Sequence, residues 1–142
     1  MKLFITATFK HGENQSEIEH LCNIAKQAGF NDFCFIRDIE NYQNFFDNPL
    51  EMMAITKQEI KSCDALLIDL THKSTGRAIE AGIAYAMNKK IIVLVKRGVL
   101  LKDTAKGITD IVIEYENIDD IVPELKKFLS KICVFQRPKG QC

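Results

Sequence analysis

Glu80 is the one acidic residue in an otherwise apolar stretch, Gly76-Arg77-Ala78-Ile79-Glu80-Ala81-Gly82-Ile83-Ala84-Tyr85-Ala86-Met87. The spacing is helical, but the polar stripe of a surface helix is almost missing. A carboxylate in such surroundings needs a partner or a purpose, because burying an unpaired charge is costly. Two readings follow from the residues. One is an Arg77–Glu80 pair at i, i+3, worth about 0.2–0.5 kcal/mol. The other is a carboxylate kept there for a functional purpose.

His72-Lys73-Ser74-Thr75-Gly76 precedes this helix and sets hydroxyls and a small residue at its N-terminus. Free N–H groups and the positive end of the helix dipole make such a place an anion site. Plain N-capping by Ser74 or Thr75 is compatible with that role. A second segment, Thr6-Ala7-Thr8-Phe9-Lys10-His11-Gly12, closes an apolar strand with hydroxyls, cations and a glycine. If both segments flank one crevice, the pair predicts a phosphate-bearing ligand.

The remaining chemistry-bearing residues read more simply. His11 and His72 are too few for a metal, and no HxxH or HxxxH pair exists, so neither a metal nor a cofactor is expected. His20 reads as a surface residue of the first helix. Cys22, Cys34, Cys63, Cys133 and Cys142 are odd in number and lack a CxxC pair, which predicts reduced thiols in a cytoplasmic protein. Tyr42, Phe45 and Phe46 form either a satellite core or a lid over an aromatic ligand.

These residues need a frame to position them, and the sequence predicts one. Strand patterns at residues 3–8, 33–36, 65–70, 91–95 and 111–115 alternate with helical patterns at 16–28, 50–62, 76–87 and 118–129. Gly29 ends the first helix, Pro49 begins the second, and Pro123 lies in the first turn of the last. Residues 38–48 read as a loop or irregular helix. The alternation predicts a three-layer α/β fold, with a five-stranded parallel sheet of order 2-1-3-4-5 and helices on both faces. In such a sheet ligands bind beyond the C-terminal strand ends where the strand order reverses, between the loops after strands one and three. Residues 1–135 form one domain in this reading, and 136–142 a flexible tail.

Composition narrows the partners. The chain has 142 residues, with 19 Lys and Arg against 19 Asp and Glu. Zero net charge argues against nucleic-acid binding, which needs a surplus of cations. No apolar run reaches the length of a membrane span. The apolar N-terminus meets Lys10, His11 and Glu13 too soon for a signal peptide.

Three segments together resemble the nucleoside 2-deoxyribosyltransferase superfamily, and within it the nucleoside 5′-monophosphate N-glycosidases. They are Glu59-Ile60-Lys61-Ser62-Cys63-Asp64-Ala65-Leu66-Leu67-Ile68, then Ser74-Thr75-Gly76-Arg77-Ala78-Ile79-Glu80-Ala81-Gly82, then Asn88-Lys89-Lys90-Ile91-Ile92. The opening run from Phe4 through Thr6 to Gly12 resembles that family's first strand and phosphate-facing loop. The resemblance implies Glu80 as a nucleophile on the anomeric carbon, splitting one hard displacement into two, with the helix N-terminus helping to keep it ionised. It implies a phosphate held by Ser74 and by Thr8, Phe9, Lys10 and His11, with Phe4, Thr6 and Gly76 also at the substrate. It further implies a homodimer, Lys102 reaching the phosphate from the partner subunit, and a small-molecule nucleotide as substrate.

Two positions depart from the family pattern. Thr56 stands where the family carries an Asp, and Thr cannot donate a proton as a carboxylic acid does. Ala78 replaces the second glycine of the Glu-centred motif. The expected activity is cleavage of the base–sugar bond of a nucleoside monophosphate. A deoxyribosyltransferase and a non-catalytic nucleotide sensor are the alternatives. A receiver domain using Asp69 lacks acidic residues after strand one, and a flavodoxin does not explain Glu80.

Overall fold

β1 (Lys2–Ile5), β2 (Asn31–Cys34), β3 (Ala65–Asp69), β4 (Lys90–Lys96) and β5 (Ile111–Tyr115) form one parallel sheet in the order β2-β1-β3-β4-β5. The structure, a computed structural model, describes residues 1–43 and 46–135. Phe45, Cys142 and the rest of the expected tail lie outside the described residues. The strand order is the one the alternating pattern predicts.

The helices are α1 (Gln15–Gln27), α2 (Phe35–Asp38), α3 (Pro49–Ser62), α4 (Thr75–Ala86), α5 (Asp103–Ile108) and α6 (Ile121–Phe135). Strand residues alternate between the two faces, as the pleat requires. Leu3, Ile5, Leu67, Ile92 and Leu94 pack with Ile18 and Cys22 of α1 and with Leu125 and Phe128 of α6. Phe4, Leu66, Ile68, Ile91 and Val93 pack on the other face with Ile60 of α3 and with Ala81 and Ala84 of α4. Both faces are therefore covered, which is why β3 and β4 read as unbroken apolar runs.

Local signals explain most element ends. Gly29 has φ +101°, the left-handed conformation that terminates α1. Asn48 caps α3, its side chain accepting from Leu50 N at 3.0 Å, with Pro49 as the first helical residue. The boundaries expected for β1 and β2 need correction. β1 ends at Ile5, and its continuation is a loop in which only Thr6 N still bonds across, to Leu67 O at 2.9 Å. β2 starts at Asn31 and ends at Cys34, because Phe35–Asp38 closes into a helical turn whose Asp38 carboxylate accepts from Cys34 N. α5 was not foreseen: its six residues show no apolar stripe, and none of them is buried. The last helix begins with a 3₁₀ turn at Ile118–Asp120 and runs on to Phe135.

Candidate active site

The strand order reverses between β1 and β3, and a cavity of about 330 Å³ opens there beyond the strand ends. Four stretches build it. Phe4, Ile5, Thr8 and Phe9 come from β1 and the loop after it, and Cys34, Phe35, Ile36 and Glu40 from the end of β2 onward. Met52, Met53 and Thr56 come from α3, and Ser74, Gly76, Arg77, Ile79 and Glu80 from the start of α4.

α4 can lie close to the sheet because its inward residues, Ala81 and Ala84, are small and buried. That seats Glu80, in the helix's second turn, at the cavity wall. Its Oε2 is enclosed and has no hydrogen-bond partner. The Arg77–Glu80 pair is not formed. Arg77 instead reaches back, donating to Asp69 O at 2.6 Å and His72 O at 3.2 Å, and so pins the loop between β3 and α4.

The expectation that the helix dipole keeps Glu80 ionised also needs correction. The dipole acts mainly within the first turn, and burial pushes the Glu80 carboxyl up to about 8. Charge on Cys34 and Glu40 acts in the same direction, and the Arg77 guanidinium opposes it. Burial thus favours the protonated form of Glu80.

A polar pole lies at the mouth of α4. Ser74 occupies the N-cap position but makes no side-chain capping bond; its Oγ lies 3.2 Å from Thr8 Oγ1 instead. The loop after β1 is clamped by buried Asn14, whose Oδ1 accepts from Lys10 N at 2.8 Å and whose Nδ2 donates to Thr8 O at 2.6 Å. His11 and Gly12 in this loop take positive φ, +48° and +93°. A Cβ built on Gly76 would meet no atom within 4 Å, so packing does not demand this glycine. First-turn N–H groups, two hydroxyls and an open approach suit an oxyanion.

The expected site residues divide into two groups. Phe4, Thr8, Phe9, Ser74, Gly76 and Glu80 line the cavity together. Thr6 is buried beneath it, with its Oγ1 enclosed and partnerless. Lys10 and His11 are exposed beside it, and Lys102 is exposed at the N-cap of α5, away from it. Ala78 is exposed and outside the lining, so it does not crowd the cavity. Thr56 lines the cavity, but its hydroxyl is spent on Met52 O at 2.9 Å.

Cys34, Glu40 and Arg77 were not foreseen as lining residues. Arg77 stood in the sequence as a helix-surface partner of Glu80, and Glu40 lay in the segment read as a loop. Tyr42 packs beside Phe9, ring centres 5.9 Å apart, and Phe46 beside Phe35 at 6.0 Å.

Other residues are accounted for elsewhere. Asp69, which a receiver domain would phosphorylate, accepts from Thr71 N and the Tyr115 hydroxyl. His20 is on the surface and pairs with Asp119 at 2.8 Å. Cys22, Cys34 and Cys63 are buried free thiols. No helix among the described residues is long and apolar enough to cross a membrane.

No protein-family model matches the chain, and no curated protein matches its sequence. Solved structures do. The CMP N-glycosidase of Clostridium botulinum is 24% identical, with a TM-score of 0.67 over 89% of this chain and 99% of that one. A 2-deoxyribosyltransferase from Bacillus psychrosaccharolyticus is 16% identical, with a TM-score of 0.67 over 86% and 90% of the two chains. A conserved protein from Enterococcus faecalis is 13% identical, with a TM-score of 0.65 over 90% and 98%. These matches span nearly the whole of both partners. This chain shares their fold.

Proposed function

We propose that this protein hydrolyses the N-glycosidic bond of a ribo- or deoxyribonucleoside 5′-monophosphate, with Glu80 as the nucleophile. The observation that carries this reading is the enclosed, partnerless Oε2 of Glu80 in a cavity whose other pole holds the Thr8 and Ser74 hydroxyls. A nucleotide spans such a site with its anomeric carbon at the carboxylate and its phosphate at the mouth of α4. Glu80 attacks C1′, the base departs, and water hydrolyses the glycosyl-enzyme. The ionised form of Glu80 is the one that attacks, and the positive charge that develops at C1′ in the transition state is stabilised by it.

The fold shared with a CMP N-glycosidase supports a nucleotide substrate. Lys10 and His11 stand exposed beside the phosphate pole, where they can close on the anion. Ile79 and Tyr85 of α4 and Leu50 of α3 are exposed apolar residues, which supports a homodimer; Lys102 would then serve the partner's site.

Incubation with a panel of ribo- and deoxyribonucleoside monophosphates tests the reading, with free base followed by chromatography. Release of base by the wild type and its loss in Glu80→Ala is the expected result. Tight binding with no release by the wild type would make the protein a nucleotide sensor. Transfer is the second reading, favoured by the equal TM-score to a deoxyribosyltransferase. Added free base would then yield a new nucleotide in place of sugar phosphate.

A further inference from the structure

When the C1′–N bond breaks, its electron pair moves onto the base, and a base that receives no proton leaves slowly. Some group in the cavity must supply that proton. Thr56 cannot, since its hydroxyl donates to Met52 O and is no acid near neutral pH. The titratable residues lining the cavity are Cys34, Glu40, Arg77 and Glu80. Arg77 does not release a proton in proteins, and its guanidinium is held by two carbonyls. Cys34 is fully buried and its thiol is hydrogen-bonded to that of Cys22. Glu80 is the attacking group. One residue remains.

Glu40 is half-buried at the cavity wall, and among the described residues its carboxyl has neither a hydrogen bond nor an ion pair. Its backbone is held on both sides. Glu40 N donates to Phe35 O at 3.1 Å, and Gln43 N donates to Glu40 O at 2.9 Å. Tyr42 N donates to Ile36 O at 2.9 Å, and the Tyr42 hydroxyl is bonded to Glu19. Asn41 and Tyr42 hold left-handed φ of +47° and +56°, so the chain turns sharply just after Glu40. Burial raises the Glu40 carboxyl above its usual range, which favours the protonated form.

We propose that Glu40 is the general acid of this site, protonating the departing base in place of the carboxylic acid that Thr56 does not provide. The inference rests on the glycosidase reading above. In the first step an oxygen of Glu80, in its ionised form, bonds to C1′ and the C1′–N bond breaks. The electron pair goes to the base nitrogen, which takes the Glu40 proton. In the second step Glu40, now a carboxylate, takes a proton from the attacking water. The water oxygen bonds to C1′, the Glu80–C1′ bond breaks, and Glu80 returns as the carboxylate and Glu40 as the acid. Nucleotide and water become base and sugar phosphate.

Steady-state kinetics of Glu40→Gln and Glu40→Asp, on the monophosphate that the wild type cleaves, test the assignment. For Glu40→Gln we expect kcat to fall by about 10²–10⁴-fold, with KM within about threefold and the alkaline limb of the pH–rate profile gone. Glu40→Asp, which keeps the acid, retains that limb and recovers part of the rate. A Glu40→Gln enzyme within about threefold of wild-type kcat overturns the assignment. So does a slow Glu40→Gln enzyme that keeps the alkaline limb. Failure of the wild type to cleave any monophosphate overturns the glycosidase reading itself, and this inference with it.

Discussion

Thr8 and Ser74 meet hydroxyl to hydroxyl at 3.2 Å, joining the loop after β1 to the start of α4. Neither hydroxyl is needed to hold the fold: Ser74 makes no capping bond, and Thr8 is exposed. Their one shared interaction faces the cavity, where a bound anion would replace or extend it.

Ser74→Ala therefore acts on substrate and not on folding. A lost hydrogen bond to a charged group costs about 1.5–3 kcal/mol, so kcat/KM for the nucleoside monophosphate falls by tenfold or more. The corresponding unphosphorylated nucleoside, with no phosphate to hold, changes by less than about threefold. Melting temperature stays within about 2 °C of wild type, because no cap is lost. Kinetics on the two substrates, with a thermal melt of each protein, check the claim. Equal losses on both would remove the phosphate from this pole.

The ionisation of Glu80 becomes visible with a substrate that needs no acid. A nucleotide whose base already carries a positive charge, such as 7-methyl-GMP or nicotinamide mononucleotide, departs without taking a proton. Its kcat/KM reports the free enzyme, so it rises with pH through about 8, where Glu80 ionises, and then levels off. Cys34, Glu40 and Arg77 are the groups that face Glu80 electrostatically. A neutral base needs one carboxylate and one carboxylic acid together. Its profile is bell-shaped, with limbs that belong to the Glu40–Glu80 pair jointly. A flat profile for the cationic base between pH 6 and 9, roughly, would rule out a buried Glu80 nucleophile.

Burial of Glu80 also has a consequence for stability. Its carboxyl rises from the ordinary 4.5 to about 8 on folding. Between those values the native chain holds a proton that the unfolded chain has released, so stability falls as pH rises. The Glu80 contribution is fully present below 4.5 and gone above 8. Glu80→Gln removes the titration, so the variant and the wild type melt close together near pH 4.5. At about pH 9 the variant melts higher, by on the order of 15 °C. Thermal melts of both proteins across that range decide the matter, and a difference independent of pH would contradict it.

What the sequence disclosed and what it hid have a common physical basis. β3 and β4 are buried on both faces, so composition alone marks them, and with the helices between them the strand order follows. Glu80 was visible as one charge on a greasy helix. Glu40 was not, because residues around it are polar and nothing local shows that a turn at Phe35–Asp38 brings it to the cavity wall. Arg77 misled for a related reason. Helical spacing puts it beside Glu80, but the free carbonyls of Asp69 and His72 compete for the guanidinium and win. Such contests are between segments far apart in the fold, and periodicity carries no trace of them.

Asn14 is another residue whose importance lies in its partners. It is buried, and its amide bonds two backbone groups of the same loop, Lys10 N and Thr8 O. Asn14→Ala loses both bonds, at about 1 kcal/mol each, and frees the Thr8–Lys10 segment that flanks the phosphate pole. KM for the monophosphate then rises several-fold while kcat changes little. Asn14→Asp is the sharper test. It keeps the acceptor for Lys10 N but sets an oxygen against Thr8 O, at a distance that is now 2.6 Å. The ionised form is repelled there, whereas the protonated form can still donate. The Asp pKa is therefore raised in the native state, and the variant's stability is lost as pH rises. It melts near wild type at about pH 4 and well below it at about pH 7.5, while Asn14→Ala shows the same deficit at both. Parallel melting curves for the two variants would mean that the amide does not clamp this loop.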